Sequence, residues 1–159
     1  MNPTRLLLVA SAATFALVSC QTKNSMETYS EAIAKLEKEA AGAVFPRVIS
    51  PGWRVMGDGK PSMDVSGFSY VNYVKEGAPD DIVDIFYHGK KDHRIITDDP
   101  STVTIMGKTV QTYGSGNEDV AFATQRMLLT APNGKSAYYS FQFNNKNLYE
   151  SRKIPEFGW

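Results

Sequence analysis

A second cysteine is missing: Cys20 stands alone among 159 residues. No intramolecular disulfide can form, so an exported domain built from this chain must be stable through its core alone. Histidine is almost as scarce, His88 and His93 being the only two, which leaves little material for a zinc site. Net charge is absent, with 17 Lys+Arg against 17 Asp+Glu. Nucleic-acid binding, which needs a basic surface to displace counterions, is therefore not expected. Long apolar runs are lacking as well. The longest uncharged apolar stretch, Leu6 to Val18, has 13 residues, short of the roughly 20 a helix needs to cross a bilayer core. Neither a Gly-x-Ser-x-Gly elbow nor a Gly-x-x-x-x-Gly-Lys phosphate loop occurs, so two common routes to catalysis and nucleotide binding have no sequence signal here.

What is present begins at the N-terminus. Arg5 supplies one positive charge, the stretch from Leu6 to Val18 follows, and small residues lead into Cys20. That is the layout of a secretory signal peptide. Its end, Leu17-Val18-Ser19-Cys20, closely resembles the lipobox of bacterial lipoproteins, a resemblance that covers the first twenty or so residues. It implies that residues 1–19 are removed, that the thiol of Cys20 carries a diacylglyceryl group, and that the freed amine takes a further acyl chain such as palmitate. One myristoyl-length chain binds membrane only reversibly, so two or three chains on one residue make the anchor lasting. In enteric lipoproteins an aspartate after the cysteine retains the protein in the inner membrane; Gln21 stands there in this chain. The resemblance thus implies the outer membrane in a Gram-negative envelope, with covalent lipid on Cys20 as the membrane partner.

Residues 1–19 contain a single charge, Arg5, so the remaining 140 residues carry 16 Lys+Arg and 17 Asp+Glu. That length suits one domain. Residues 20–26 are a short polar tether reaching about 20 Å, and residues 27–159 are expected to form a single domain. From Glu27 to Ala41 helix formers dominate, with Tyr29, Ile33, Leu36 and Ala40 spaced by three and four; the spacing predicts an amphipathic helix. Gly42 and Pro46 stop it.

After Pro46 the period changes to alternation. Strands are predicted at Trp53–Met56, Val65–Lys75, Ile82–His88, Thr102–Met106, Thr109–Tyr113, Val120–Thr130 and Ser136–Asn144. Asn133-Gly134 marks a hairpin, Gly107-Lys108 a second of the Gly-X kind, and Glu76 to Asp81 a third and longer one. In the last strand Ala137, Tyr139, Phe141 and Phe143 share one face, while Ser136, Tyr138, Ser140 and Gln142 share the other. Pro155 and Gly158 speak against a strand in the tail from Leu148 to Trp159. The expected fold class is α+β: an N-terminal amphipathic helix packed on a twisted, mostly antiparallel β-sheet. A partly closed β-barrel is the alternative.

Catalytic patterns are sparse. His88 and His93 are five apart in a stretch with Gly89, Lys90, Lys91 and Arg94, a poor setting for zinc. A solvated turn is the expectation there, with no metal and no cofactor. Ser115 lies between two glycines and reads as loop punctuation, although either histidine could approach it in space. Asp80-Asp81 and Asp98-Asp99 sit beside prolines and read as turns, not as a glycosidase pair. Tyr70, Tyr73, Tyr87, Tyr138 and Tyr149 either pack with the sheet or line a groove for sugar or peptide. Two functions stay open: a non-enzymatic, membrane-anchored domain that binds a ligand or partner in the envelope, and a lipid-anchored hydrolase of cell-wall or exogenous material using His88 or His93.

Overall fold

A computed structural model describes residues 44–56, 62–63, 69–98, 100–114, 120–150 and 153–159. The expected signal segment over 1–19, Cys20, the expected tether over 20–26, the helix expected over 27–41 and Ser115 all lie outside the described residues. The strands are β1 (Arg47–Val48), β2 (Trp53–Val55), β3 (Ser62–Met63), β4 (Ser69–Lys75), β5 (Ala78–Gly89), β6 (Thr102–Ile105) and β7 (Lys108–Tyr113). Then come β8 (Phe122–Thr124), β9 (Met127–Thr130), β10 (Ser136–Phe143), the short helix α1 (Lys146–Glu150) and β11 (Phe157–Gly158).

The main sheet runs β2–β4–β5–β10–β8–β7–β6, with β3 also on β4 and β9 also on β10. Every described pairing is antiparallel. Among consecutive strands, β3–β4, β4–β5, β6–β7, β7–β8 and β9–β10 pair directly, whereas β5 and β6 do not. β5 lies against β10, so residues 90–101 must cross from β5 to β6 at the far edge of the sheet.

Alternation builds the core. Tyr139 stands opposite Tyr87, Phe141 opposite Ile85 and Phe143 opposite Val83, and on β4 Val71 and Tyr73 join the same face. Val83, Ile85, Phe141 and Phe143 are fully buried. Each such side chain contributes about 1.5–3 kcal/mol on leaving water.

What covers this face corrects the expected class. Among the described residues the only helix is α1, of five residues, and the rest of the regular structure is antiparallel β. The covering layer is a two-stranded ribbon, β1 with β11, formed by the two ends of the described chain. Phe157 meets Phe141 edge-on at 4.8 Å between ring centroids and Phe143 at 6.3 Å. Trp159 meets Tyr139 at 6.0 Å, and Phe45 packs on Tyr87 and Tyr139. Tyr139 also donates its hydroxyl to the Val44 carbonyl at 2.6 Å. The aromatic face that called for a helix is thus satisfied by strands paired across more than a hundred residues, which local periodicity cannot show. Gly158 belongs to this ribbon despite the expectation for the tail, and a Cβ there would meet the Ile49 side chain at a tight 3.2 Å. The barrel alternative is not formed among the described residues either, since the end strands β2 and β6 do not pair with each other.

The hairpins occur where turn chemistry places them, with altered details. β4 and β5 are joined by Glu76-Gly77 alone, because Ala78 already pairs with Lys75. The 131–135 loop closes with Ala131 N–H donating to the Lys135 carbonyl at 2.9 Å, and Gly134, at φ +79°, is the residue there with positive φ. The β6–β7 turn is Met106-Gly107 instead of Gly107-Lys108, with φ of 50° and 74°. Positive φ at both central residues matches the right-handed twist of a two-residue hairpin. Nothing lies within 4 Å of a Cβ built on Gly107, so Gly107→Ala should cost about 1–2 kcal/mol through φ alone. Urea unfolding checks this; no loss would mean the turn relaxes to another type.

Candidate functional site

The second face of the sheet carries the polar members of each alternation, and residues 90–101 cross over it. Beneath that crossing lies an open cavity of about 370 Å³. Phe86 and His88 from β5, Ser140 and Gln142 from β10, and Tyr113 from β7 line its sheet side. His93 and Ile95 close it from the crossing segment, and Thr124, Gln125 and Arg126 complete it.

Two irregularities aim these side chains. In β5–β10 the register shifts: Tyr138 faces Gly89 and Tyr139 faces Tyr87, so His88 is the extra residue of a β-bulge. In β8–β9, Thr124 and Met127 are both buried although three apart, and pairing with β10 shifts by one between Ala123–Gln142 and Met127–Tyr139. The two intervening residues, Gln125 and Arg126, both reach the cavity. Bulges of this kind redirect side chains and concentrate beside functional sites.

Gln125 is 5 % exposed and holds the crossing segment. Its Oε1 accepts from Ile95 N–H at 2.8 Å and its Nε2 donates to the Ile95 carbonyl at 2.5 Å. One side chain thereby performs both bonds of a strand pair. Ile96 next to it is 97 % exposed. Along this stretch His93 and Ile95 line the first cavity, whereas Asp92 and Arg94 line a second of about 370 Å³ with Lys108, Leu128 and Tyr138. Gln125→Ala removes both bonds, but Ile95 is 41 % exposed, so water can replace part of them. Exchange of the Ile95 amide should quicken by about tenfold, equivalent to ~1.4 kcal/mol of local stability. Unchanged exchange would mean the segment is held elsewhere.

The chemistry centres on His88 and Ser140. Nε2 of His88 lies 2.8 Å from Ser140 Oγ, and the imidazole stacks on Phe86 at 6.4 Å, which in turn packs on Tyr70 at 5.6 Å. Burial, aided by the positive charge of Arg126, pushes the His88 pKa down to about 4. Burial raises the Tyr113 phenol, with Arg126 opposing. Arg126 donates to the Lys91 carbonyl at 3.0 Å, which ties it to the start of the crossing.

On the same face but outside the cavity, Asp84 is 6 % exposed and receives Asn72 Nδ2 at 2.6 Å and Asn144 Nδ2 at 3.1 Å. Burial raises its pKa, and the Asn144 and Asn72 amides oppose the rise. This cluster reads as a satisfied buried carboxylate joining β4, β5 and the residue that follows β10.

The sequence-based candidates separate accordingly. His88 and His93 line one cavity, and His88 belongs to a strand and a serine instead of a solvated turn. Among the described residues no group of three or more His, Cys, Asp or Glu side chains could hold a metal. Asp80 and Asp81 lie within β5, where Asp81 accepts from Asn145 at 2.6 Å. Tyr73 and Tyr87 join the core side, Tyr70 supports Phe86, and Tyr138 faces the second cavity. The residues that shape the first cavity, Tyr113, Gln125, Arg126 and Ser140, were not singled out by sequence. One signal was available: Phe122, Thr124, Met127 and Leu129 change parity at 125–126, which marks a bulge in an otherwise alternating strand.

Comparison with known proteins finds no matching family model, no curated protein similar in sequence and no similar solved structure at a significant level.

Proposed function

We propose that this chain is a membrane-anchored, non-enzymatic binding protein of the bacterial envelope, tethered by lipid on Cys20, whose small-molecule ligand seats in the cavity under the 90–101 crossing. The observation that carries the binding reading is the cavity. It has ligand-pocket size, an aromatic and aliphatic lining in Phe86, Tyr113 and Ile95, and a few convergent polar groups. The lipobox resemblance at Leu17-Val18-Ser19-Cys20 supports the anchor.

The His88–Ser140 pair favours a second reading, a hydrolase with a serine nucleophile. Its energetics weigh against it. A general base works best with a pKa near the operating pH, whereas His88 lies near 4. Arg126 further disfavours the imidazolium that proton transfer would create. Among the described residues no carboxylate lines the cavity to stabilise that charge.

Treatment of the full-length chain with a fluorophosphonate separates the two readings. A binding protein leaves Ser140 unlabelled; a label on Ser140 lost in His88→Gln would establish the hydrolase instead. The anchor is tested by mass. The mature N-terminal fragment should begin at Cys20 and exceed its peptide mass by two or three acyl chains, and an unmodified thiol there would remove the anchor from the proposal.

A further inference from the structure

We infer that the cavity selects a monoanionic ligand: a carboxylate carried on a small aromatic or aliphatic body. This deepens the binding reading above and rests on it. Three features of the cavity point the same way. The side chains that line it include Arg126 and the titratable His93 but, among the described residues, no Asp or Glu. The positive charge of Arg126 is felt at both His88 on β5 and Tyr113 on β7. Its guanidinium has five donors in a fork that fits a carboxylate, and its bond to the Lys91 carbonyl engages one of them.

The rest of the cavity fits the ligand's body. Phe86 and Tyr113 give aromatic surface, and Ile95 supplies an aliphatic wall from the crossing segment. Ser140 and Gln142 add neutral polar contacts that can accompany a carboxylate without adding charge. One arginine balances one negative charge. A dianion would leave a surplus charge in a half-enclosed site, which is why a carboxylate is favoured over a phosphate. The pinned segment over the cavity keeps this arrangement formed before the ligand arrives, since Gln125 fixes Ile95 by two hydrogen bonds.

The test is a matched probe pair, phenylacetate and phenylacetamide, which share shape and differ in charge. Each is titrated into the full-length chain in detergent while the amide resonances of His88, Ile95, Tyr113 and Ser140 are followed by NMR. Phenylacetate should bind at least tenfold more tightly than phenylacetamide, Arg126→Gln should erase that preference, and Arg126→Lys should keep part of it. Equal binding of the two probes by the wild-type chain would overturn the anion assignment and leave the binding cavity standing. If neither probe shifts these resonances up to about 10 mM, the anion assignment and the binding reading both fail. The wild-type comparison decides the matter even if Arg126→Gln does not fold.

Discussion

Phe141→Ala is expected to lower the unfolding free energy by about 3–5 kcal/mol, whereas Gln142→Ala should cost less than about 1 kcal/mol. The two positions are adjacent, so strand propensity and backbone environment are nearly matched between them. What differs is the face. Phe141 is fully buried opposite Ile85, with Phe157 of the covering ribbon at 4.8 Å. Truncation removes its transfer free energy and opens a cavity that sheet and ribbon cannot both close. Gln142 looks the other way, into a solvent-open cavity, and its contact with Asn144 Oδ1 is long at 3.4 Å. Urea denaturation of both variants is the measurement. Similar losses would mean that β10 is buried on both faces or that its register is wrong. A loss at Phe141 matched by Phe157→Ala, with little further loss in the double variant, would locate the energy at the ribbon.

That ribbon is also where the fold departed from what could be read locally. The alternation of Ala137, Tyr139, Phe141 and Phe143 was legible because period two is a property of neighbouring residues. So were the hairpins, where Gly77, Gly107 and Gly134 supply positive φ. The helix formers between Glu27 and Ala41 suggested a helical cover for the sheet; among the described residues the cover comes from a tertiary pairing instead. Arg47 meets Gly158 and Val48 meets Phe157, and no window of sequence contains both.

The candidate site was hidden for the same reason. His88 and Ser140 are 52 residues apart and meet because β5 chooses β10 as a neighbour in place of β6. A sequence reading could test His88 only against serines with a motif around them, and Ser140 has none. It looked like a polar residue on a solvated face. It is 8 % exposed because the 90–101 crossing lies over that face, a consequence of where β6 sits in the sheet. Arg126 is the subtler case. By simple alternation from Thr124 it would point into the core, where an unpaired charge is costly. The bulge at 125–126 turns it outward and keeps Met127 in the core, so one irregularity both preserves the packing and puts the cation into the cavity.

Acid should destabilise the fold through His88, and the sign follows from the direction of its shift. In the unfolded chain a histidine titrates near 6.5; in the fold His88 is held to about 4, first by burial and then by Arg126. Above the unfolded value neither state holds the proton, and His88 makes no pH-dependent contribution. As pH falls from about 6.5 to about 4 the unfolded chain takes up the proton first, so stability drops through that window and levels below it. The full shift corresponds to roughly 3 kcal/mol, and partial solvent access at the cavity mouth makes about 2–3 kcal/mol the expected loss. Asp84 works in the opposite direction. Its carboxyl is raised by burial against its asparagine partners, so the folded state takes up that proton first, which offsets part of the loss at the acid end. The wild-type curve alone therefore understates His88. His88→Gln isolates it, because Asp84, Arg126 and His93 remain in both proteins and the variant has no imidazole at position 88. Urea midpoints measured at about pH 7, 5.5 and 4 should show the wild type losing some 2–3 kcal/mol more than His88→Gln across the range. Parallel curves would mean that His88 is not held neutral beside Ser140. Its imidazolium would then be accessible near neutral pH, and the weak-base argument against a serine hydrolase would lose its footing.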